Sequence, residues 1–244
     1  VFVTVWLAAI SVPTFTTYMV LNTSIDLIAM IALLGTARFF TVLAGLDVGT
    51  PFGGLGASRE MFISSISEPA ILMVIFSLSL LTHTTLPTQM VIYILEGHIG
   101  IQVSVGLTLV AMVMIAIAEN GRIPVDNPTT HLELTMIHEG MLLEYSGSYL
   151  ALMEAANMVR LLLFMSIISC LFFPWGIADS DSDLIHVLFG LIIWAFKVGI
   201  LSMILGCFET ALIKMRFFQI SDFLGGALLF ALLATLFLYI SEAV

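Results

Sequence analysis

The sequence predicts an all-α integral membrane protein whose transmembrane helices form a single domain over residues 1–244. Sixty per cent of the residues are hydrophobic and ten per cent are charged, whereas about a quarter of a typical soluble chain is charged. The mean hydropathy is +1.15. The apolar residues also occur in runs of about 20, which is the length that a helix needs to cross a bilayer. These three observations exclude a soluble globular domain.

The apolar runs predict seven membrane helices, separated by segments of turn-forming and polar residues. A polar triplet at 22–24 separates the first two helices, and we interpret the glycine-rich segment 49–56 as a tight turn before the third. The chain begins inside an apolar run without methionine, so we expect a preceding segment that includes one more helix. The seven predicted spans are 1–20, 25–45, 61–82, 99–118, 147–173, 184–208 and 222–241.

The basic residues predict the orientation of the chain in its membrane. Loops 46–60, 119–146 and 209–221 share one side and carry Arg59, Arg122, Lys214 and Arg216, whereas the loops of the other side carry no lysine or arginine. Cytoplasmic loops are enriched in these residues. We therefore expect a multi-pass protein of a prokaryotic inner (cytoplasmic) membrane, with the start of this sequence cytoplasmic and its C-terminus outside.

Several ionisable residues lie inside the predicted spans, where each costs at least ~2.5–3.5 kcal/mol near the helix centre. Glu68 precedes Pro69, which removes a backbone hydrogen bond and can open the helix to water. Two interpretations remain open: ion pairs between helices, or a hydrated relay for protons or sodium ions. We favour a relay for the set as a whole, because packing alone does not explain so costly a set. Its members are Arg38, Glu68, Glu154, Arg160 and Lys197, with Glu209 at a helix end.

The loop 119–146 is predicted to be an acidic cytoplasmic segment, with five carboxylates and two histidines among residues 119–144. Such groups can exchange protons; a solvated acidic loop is the alternative. The histidine spacing is not that of a zinc site, so we expect no metal. Pro128 followed by two threonines predicts the start of a short amphipathic helix. Its apolar residues predict burial against another protein: Met136, Ile137, Met141, Leu142 and Leu143.

The same loop resembles a known family. Glu119-Asn120-Gly121-Arg122-Ile123-Pro124-Val125-Asp126, with Glu133 and Glu144-Tyr145-Ser146-Gly147, resembles the subunit 1 family of respiratory complex I and of membrane-bound [NiFe] hydrogenases. The segments from Gly53 to Glu60 and from Glu154 to Met158 are similar to two more parts of that family. The resemblance implies an eight-helix bundle, of which the seven predicted spans are the second to eighth.

One departure favours the hydrogenase branch of this family. Quinone-reducing members resemble Glu-x-Glu-x-Glu after the aspartate, whereas this chain has Thr129 and His131 at the first two of those positions and keeps only Glu133. The stretch from Asp126 to Glu139 resembles formate hydrogenlyase, hydrogenase-4 and energy-converting hydrogenases (group 4). This departure argues against quinone binding.

The resemblance implies a membrane-anchor and coupling subunit that links electron transfer to H⁺ or Na⁺ movement. The expected partners are the hydrogenase large and small subunits and iron–sulfur subunits on the cytoplasmic side, antiporter-like membrane subunits, and the lipid bilayer. The [NiFe] centre and the iron–sulfur clusters are expected in the partners, and no catalytic residue, metal, cofactor or nucleic acid is expected on this chain. The predicted ion path comprises Glu68, Glu119, Asp126, Glu133, Glu139, Glu144, Glu154, Arg160, Lys197 and Glu209. The predicted interface with the redox arm comprises Arg59, Glu60, Arg122, His131, His138, Lys214 and Arg216.

Two other functions stay open on the sequence. The first is the quinone-site component of a respiratory complex I (NADH-quinone oxidoreductase). The second is a stand-alone secondary ion transporter, although many of those carry internal repeats and none is detectable in this sequence.

Overall fold

The regular elements are α-helices throughout the described part of the chain. The computed structural model describes residues 1–17, 25–97, 102–122, 138–142, 145–178, 184–211 and 217–243. A single parallel β-bridge joins Thr16 to Ala178. The helices are α1 (Phe2–Ile10), α2 (Leu27–Asp47), α3 (Pro51–Thr82), α4 (Pro87–Leu95), α5 (Val103–Glu119), α6 (His138–Leu142), α7 (Gly147–Phe172), α8 (Leu184–Ala211) and α9 (Phe217–Ala243).

Among the described helices, α2, α3, α7, α8 and α9 are long and apolar enough to cross a membrane, so the predicted count of seven is not confirmed. In the described part of the predicted span 1–20, residues 1–17, the helix is the nine-residue α1, which ends three residues before Pro13, a residue that cannot continue it. The predicted span 99–118 corresponds to α5, which is apolar but only 17 residues long.

The predicted tight turn over residues 49–56 is wrong beyond its first two residues, because α3 begins at Pro51. Thr50 caps the helix by accepting a hydrogen bond from the Gly53 backbone amide at 3.3 Å, and proline is favoured at the first helical position. A Cβ atom at Gly53 would collide with the carbonyl oxygen of Gly45, so glycine here permits close approach of α2 and α3. The sequence motif therefore serves helix packing.

Two further segments differ from the prediction. The polar segment 83–98 contains helix α4, because Met90 and Val91 are fully buried in the main core and fix the helix there. Met141 of α6, predicted to pack on another protein, is 2% exposed and packs against Val42 and Ala57 of its own chain. Residues 128–137, where the amphipathic helix was predicted, lie outside the described residues.

Helices α3, α5 and α9 pack closely on one another at the centre of the bundle. The buried face of α9 carries Ala227, Ala231 and Ala234, each with no exposed surface. Small residues let membrane helices approach closely, because the lipid provides no hydrophobic force between them. Helix α8 lies at the periphery, since only 6% of its most apolar stretch is buried against the rest of the described chain. Its outer surface is therefore available to lipid or to another subunit.

Candidate functional site

The centre of the candidate site is Arg38 on α2, whose side chain is 6% exposed and meets three carboxylates. Its Nη1 lies 3.3 Å from Glu68 Oε1, and its Nε lies 3.5 Å from Glu60 Oε1. Its Nη2 donates a short hydrogen bond to Glu119 Oε2. Helices α2, α3 and α5 each contribute to this cluster, so forming it requires the packed bundle.

Two serines on α3 extend the cluster into a hydrogen-bonded chain. Ser64 accepts from Arg38 Nη1 at 2.5 Å and donates to Glu68 Oε1 at 2.8 Å. Ser67 donates a short hydrogen bond to Glu119 Oε1. Both oxygens of Glu119 are therefore engaged, while Glu68 is held by a serine and an arginine. Hydrogen bonds of Arg38 connect Glu119 to Ser64 and Glu68, whereas Ser67 bonds to Glu119 and to the backbone carbonyl of Ser64.

The cluster has more acidic than basic groups. Glu60 and Glu119 are buried at 5% and 4% exposure, whereas the Glu68 side chain is 48% exposed. Arg160 on α7 lies close enough to interact electrostatically with both Glu60 and Arg38. Among the described residues, two guanidinium groups therefore stand near three carboxylates, of which Glu68 lies at the exposed edge of the cluster.

The two predicted path residues on α7, Glu154 and Arg160, lie in different surroundings. Glu154 is exposed. Arg160 donates from Nη2 to Asn157 Oδ1 at 3.2 Å, which confirms that these two residues share a helix face. Glu154 and Arg160 form no ion pair with each other in the described structure, since Arg160 bonds to Asn157 and interacts electrostatically with Glu60.

Lys197, the predicted path residue on α8, is held by the end of α7. Its Nζ donates to the carbonyl oxygen of Phe173 at 2.5 Å and also to that of Trp175. It lies 5.2 Å from the centre of the Trp175 ring. Free carbonyls at a helix C-terminus attract cations. Among the described residues, the partners of Lys197 are therefore carbonyls and a ring rather than the carboxylate of an ion pair.

Arg122 and Glu209 form a separate contact at the ends of α5 and α8. Arg122 Nη1 lies 3.6 Å from Glu209 Oε1. The sequence predicted different roles for the two, Arg122 in the redox-arm interface and Glu209 in the ion path. Their side chains are 44% and 33% exposed. The structure therefore brings them together at the surface.

The remaining predicted residues are described only in part. Arg59 is half-buried, and Glu60, predicted for the redox-arm interface, is buried beside Arg38 within the chain. His138 and Glu139 belong to α6, but their side chains lie outside the described residues. Also outside the described residues are Asp126, His131, Glu133, Glu144, Lys214 and Arg216.

The sequence predicted no role for the two serines, and it placed Arg38 among the ionisable residues of the spans but not among the ten residues of the predicted ion path. A signal was available on α3, since Glu60, Ser64, Ser67 and Glu68 recur at steps of three and four residues and so share one helix face. That face needed a cation, and the only one in the preceding span was Arg38. Such reasoning was possible for α3 but could not have included Glu119 on α5.

Comparison with known proteins places this architecture in a family. A family model described as NADH dehydrogenase matches residues 1–240. Hydrogenase-4 component C of Escherichia coli (strain K12) is 33% identical over 212 residues, which cover 87% of this chain and 66% of that protein. Formate hydrogenlyase subunit 4 of the same strain is 28% identical over 191 residues, covering 78% and 61%. The chain thus spans slightly less than two thirds of the length of these relatives.

A solved structure agrees in fold. The structure of the membrane-bound sulfane sulfur reductase, an archaeal respiratory membrane complex, contains a chain that superposes with a TM-score of 0.78 at 16% identity. The match covers 96% of this chain and 76% of that one. With the family model extending over nearly the whole sequence, the resemblance stated above is confirmed: the chain belongs to the NADH dehydrogenase (complex I subunit-like) family, and it is similar to components of hydrogenase-4 and formate hydrogenlyase.

Proposed function

We propose that this chain anchors a membrane-bound [NiFe] hydrogenase complex and couples its electron transfer to the movement of H⁺ or Na⁺. The observation that carries the proposal is the Arg38 cluster, in which a buried guanidinium meets Glu60, Glu68 and Glu119 from two other helices. Burying so many charges is costly. A cluster of this kind is explained when one of its carboxylates exchanges a proton or cation during turnover.

The contacts suggest how the exchange proceeds. Arg38 keeps its positive charge, because a guanidinium does not lose its proton in proteins. The carboxylate that carries the extra proton gives up its ion pair with Arg38, and the guanidinium then binds the other carboxylates more closely. Ser64 and Ser67 can follow this change by rotating their hydroxyl groups. The bound proton or cation thereby shifts between the carboxylates of Glu119 and the half-exposed Glu68.

The relatives support the choice of complex. The two E. coli proteins named above are components of hydrogenase-4 and of formate hydrogenlyase. We infer that the hydrogenase large and small subunits and the iron–sulfur subunits bind on the side that carries Arg59 and Arg122, and that antiporter-like subunits lie beside this chain. The [NiFe] centre and the iron–sulfur clusters belong to those partners.

The function is tested by neutralising each carboxylate of the cluster in the complete complex. Glu119→Gln and Glu68→Gln keep the size of the side chain but remove its ability to ionise. We expect ion uptake by inverted membrane vesicles to fall by at least about tenfold, the factor that corresponds to 1.4 kcal/mol in a barrier. Hydrogenase activity with an artificial electron carrier should persist in the same vesicles.

Asp47→Asn provides the matched control, since Asp47 is an exposed carboxylate at the end of α2, away from the cluster contacts. Its ion uptake should equal that of the unaltered complex. Normal ion uptake in both glutamine variants would refute the role of the cluster. Loss of artificial-carrier activity with the large subunit still bound would indicate a direct role in the redox chemistry and contradict the proposal.

A further inference from the structure

A second feature, separate from the Arg38 cluster, is an apolar cavity of about 380 Å³ between α5, α7, α8 and α9. Its wall includes Val113, Ala116, Met165, Leu201 and Phe208, and every lining residue is apolar. For scale, an engineered apolar cavity of about 150 Å³ stays dry and binds benzene. Water finds no hydrogen-bond partner on these described walls, and an empty space of this size forfeits packing contacts on all sides. The cavity therefore suits an apolar chain.

The cavity borders on lipid. Helix α8, which forms one wall through Leu201, Ile204 and Phe208, is the least buried of the spanning helices in the described chain. Ile204 is 59% exposed although it lines the cavity. The site can therefore be reached from the bilayer, in which acyl chains act as the solvent.

Charged groups stand at one end of the cavity. The Arg122 backbone amide donates to the carbonyl oxygen of the lining residue Ile117 at 2.9 Å, and Glu209 directly follows the lining residue Phe208. Arg122 Nη1 and Glu209 Oε1 form an ion pair at 3.6 Å, and the two side chains are 44% and 33% exposed. A partly exposed cation and anion side by side complement a headgroup that bears both a phosphate and an ammonium group.

We propose that this cavity binds one acyl chain of a phosphatidylethanolamine-type phospholipid. The headgroup phosphate contacts Arg122, and the primary ammonium donates to the carboxylate of Glu209. A purely anionic headgroup would be repelled by Glu209, and a trimethylammonium headgroup would have no N–H to donate to it. The apolar chain then occupies the space between Phe208 and Leu201.

The test uses three photo-reactive phospholipids that carry the same diazirine-labelled acyl chain on ethanolamine, choline or glycerol headgroups. Each is added to the complex purified from its membrane, and labelled peptides are mapped by mass spectrometry after illumination. We expect saturable labelling of α5 and α8 peptides at the cavity. The ethanolamine lipid should label about fivefold more than either other lipid, the ratio given by one exposed ionic contact.

Two variants separate the cavity from general lipid contact. Ala116→Phe fills the cavity and should abolish saturable labelling, whereas Leu233→Phe on the exposed surface of α9 should leave it unchanged. If Ala116→Phe prevents assembly, Glu209→Gln serves instead and should remove the preference for ethanolamine, because the ammonium group then loses its anionic partner. The proposal would be overturned by labelling that rises linearly with lipid content or by equal labelling with all three lipids. Cross-links from the cavity wall to a partner subunit would overturn it as well.

Discussion

At the scale of single residues, the chemistry of Arg38 explains why an arginine occupies the centre of the cluster. A guanidinium presents five N–H donors in a fixed plane and can therefore engage several carboxylates at once. Glu60 and Glu68 come from α3 and Glu119 from α5, so the arginine joins three helices. A lysine at this position would offer a single charged point.

The first residue-scale prediction concerns the coupling of Arg38 with Glu119. Arg38→Gln should destabilise the complex by about 3–5 kcal/mol, because it leaves buried carboxylates without their partner. Glu119→Gln in that background should recover part of the loss, with a coupling energy of roughly 0.5–3 kcal/mol. Thermal unfolding of the purified complex, followed by size-exclusion chromatography, measures both effects. Arg38→Gln combined with Glu154→Gln is the control, and the stability losses of these two changes should add. Additive losses for Arg38→Gln and Glu119→Gln would contradict the ion pair between Arg38 and Glu119.

The sequence alone allowed part of this site to be predicted. Glu68 was recognised because an ionisable residue in an apolar span needs an explanation, and Glu119 because it begins the acidic loop 119–146. Their shared partner was not recognised, since the sequence does not show which face of α2 meets α3 and α5. Lys197 was open to misreading for the same reason, because its partners are backbone carbonyls that any sequence could provide.

At the scale of helices, the start of α3 shows how a local signal can be overlooked. Three glycines within residues 53–56 suggested a turn. Thr50 followed by Pro51 is, however, a favourable helix start, and it decides the conformation. The glycines then serve α2–α3 packing at one position and leave open space at another.

This difference gives a matched pair of variants. Gly53→Ala should lower stability, because the added methyl collides with the backbone of Gly45, whereas Gly54→Ala meets no atom within 4 Å. Gly54→Ala should be neutral or stabilising by up to about 1 kcal/mol, the difference in helix propensity. Comparison of thermal unfolding midpoints of the two complexes tests this. Equal behaviour would mean that α2 and α3 do not approach closely here.

At the scale of the whole molecule, five predicted spans match helices to within five residues, namely those at α2, α5, α7, α8 and α9. They were predictable because long apolar runs have few alternatives in a bilayer. The ends of the shorter helices α1 and α4 could not be predicted in this way, because the burial of a few residues fixes these helices, and their length does not. The family resemblance depended on the loop motif and extended correctly to the whole chain.

The orientation stays a prediction and can be tested with single cysteines. Asp47→Cys lies at the end of α2 on the side predicted to be cytoplasmic, and Gln89→Cys lies in the segment predicted to be outside; both positions are exposed. In cells with Cys207 replaced by serine, a membrane-impermeant maleimide should label the cysteine at 89 and not that at 47. Permeabilised cells should show both labels, which controls for reactivity. The reverse pattern in intact cells would invert the topology.

The length of α3 has a consequence for where the cluster works. Its 32 residues extend about 48 Å, whereas the hydrocarbon layer is about 30 Å thick. Even when the helix is tilted by about 40°, the upper end of the usual range, its length along the membrane normal exceeds the thickness of the hydrocarbon layer. If Thr82 marks the far edge and the helix stands upright, Glu68 lies about 21 Å from that edge, inside the hydrocarbon, and Glu60 lies about 33 Å from it, in the headgroup zone. Arg38 then lies at the boundary between the hydrocarbon layer and the headgroup zone. A single proton that moves between the carboxylates around Arg38 therefore transfers charge from one of these regions to the other.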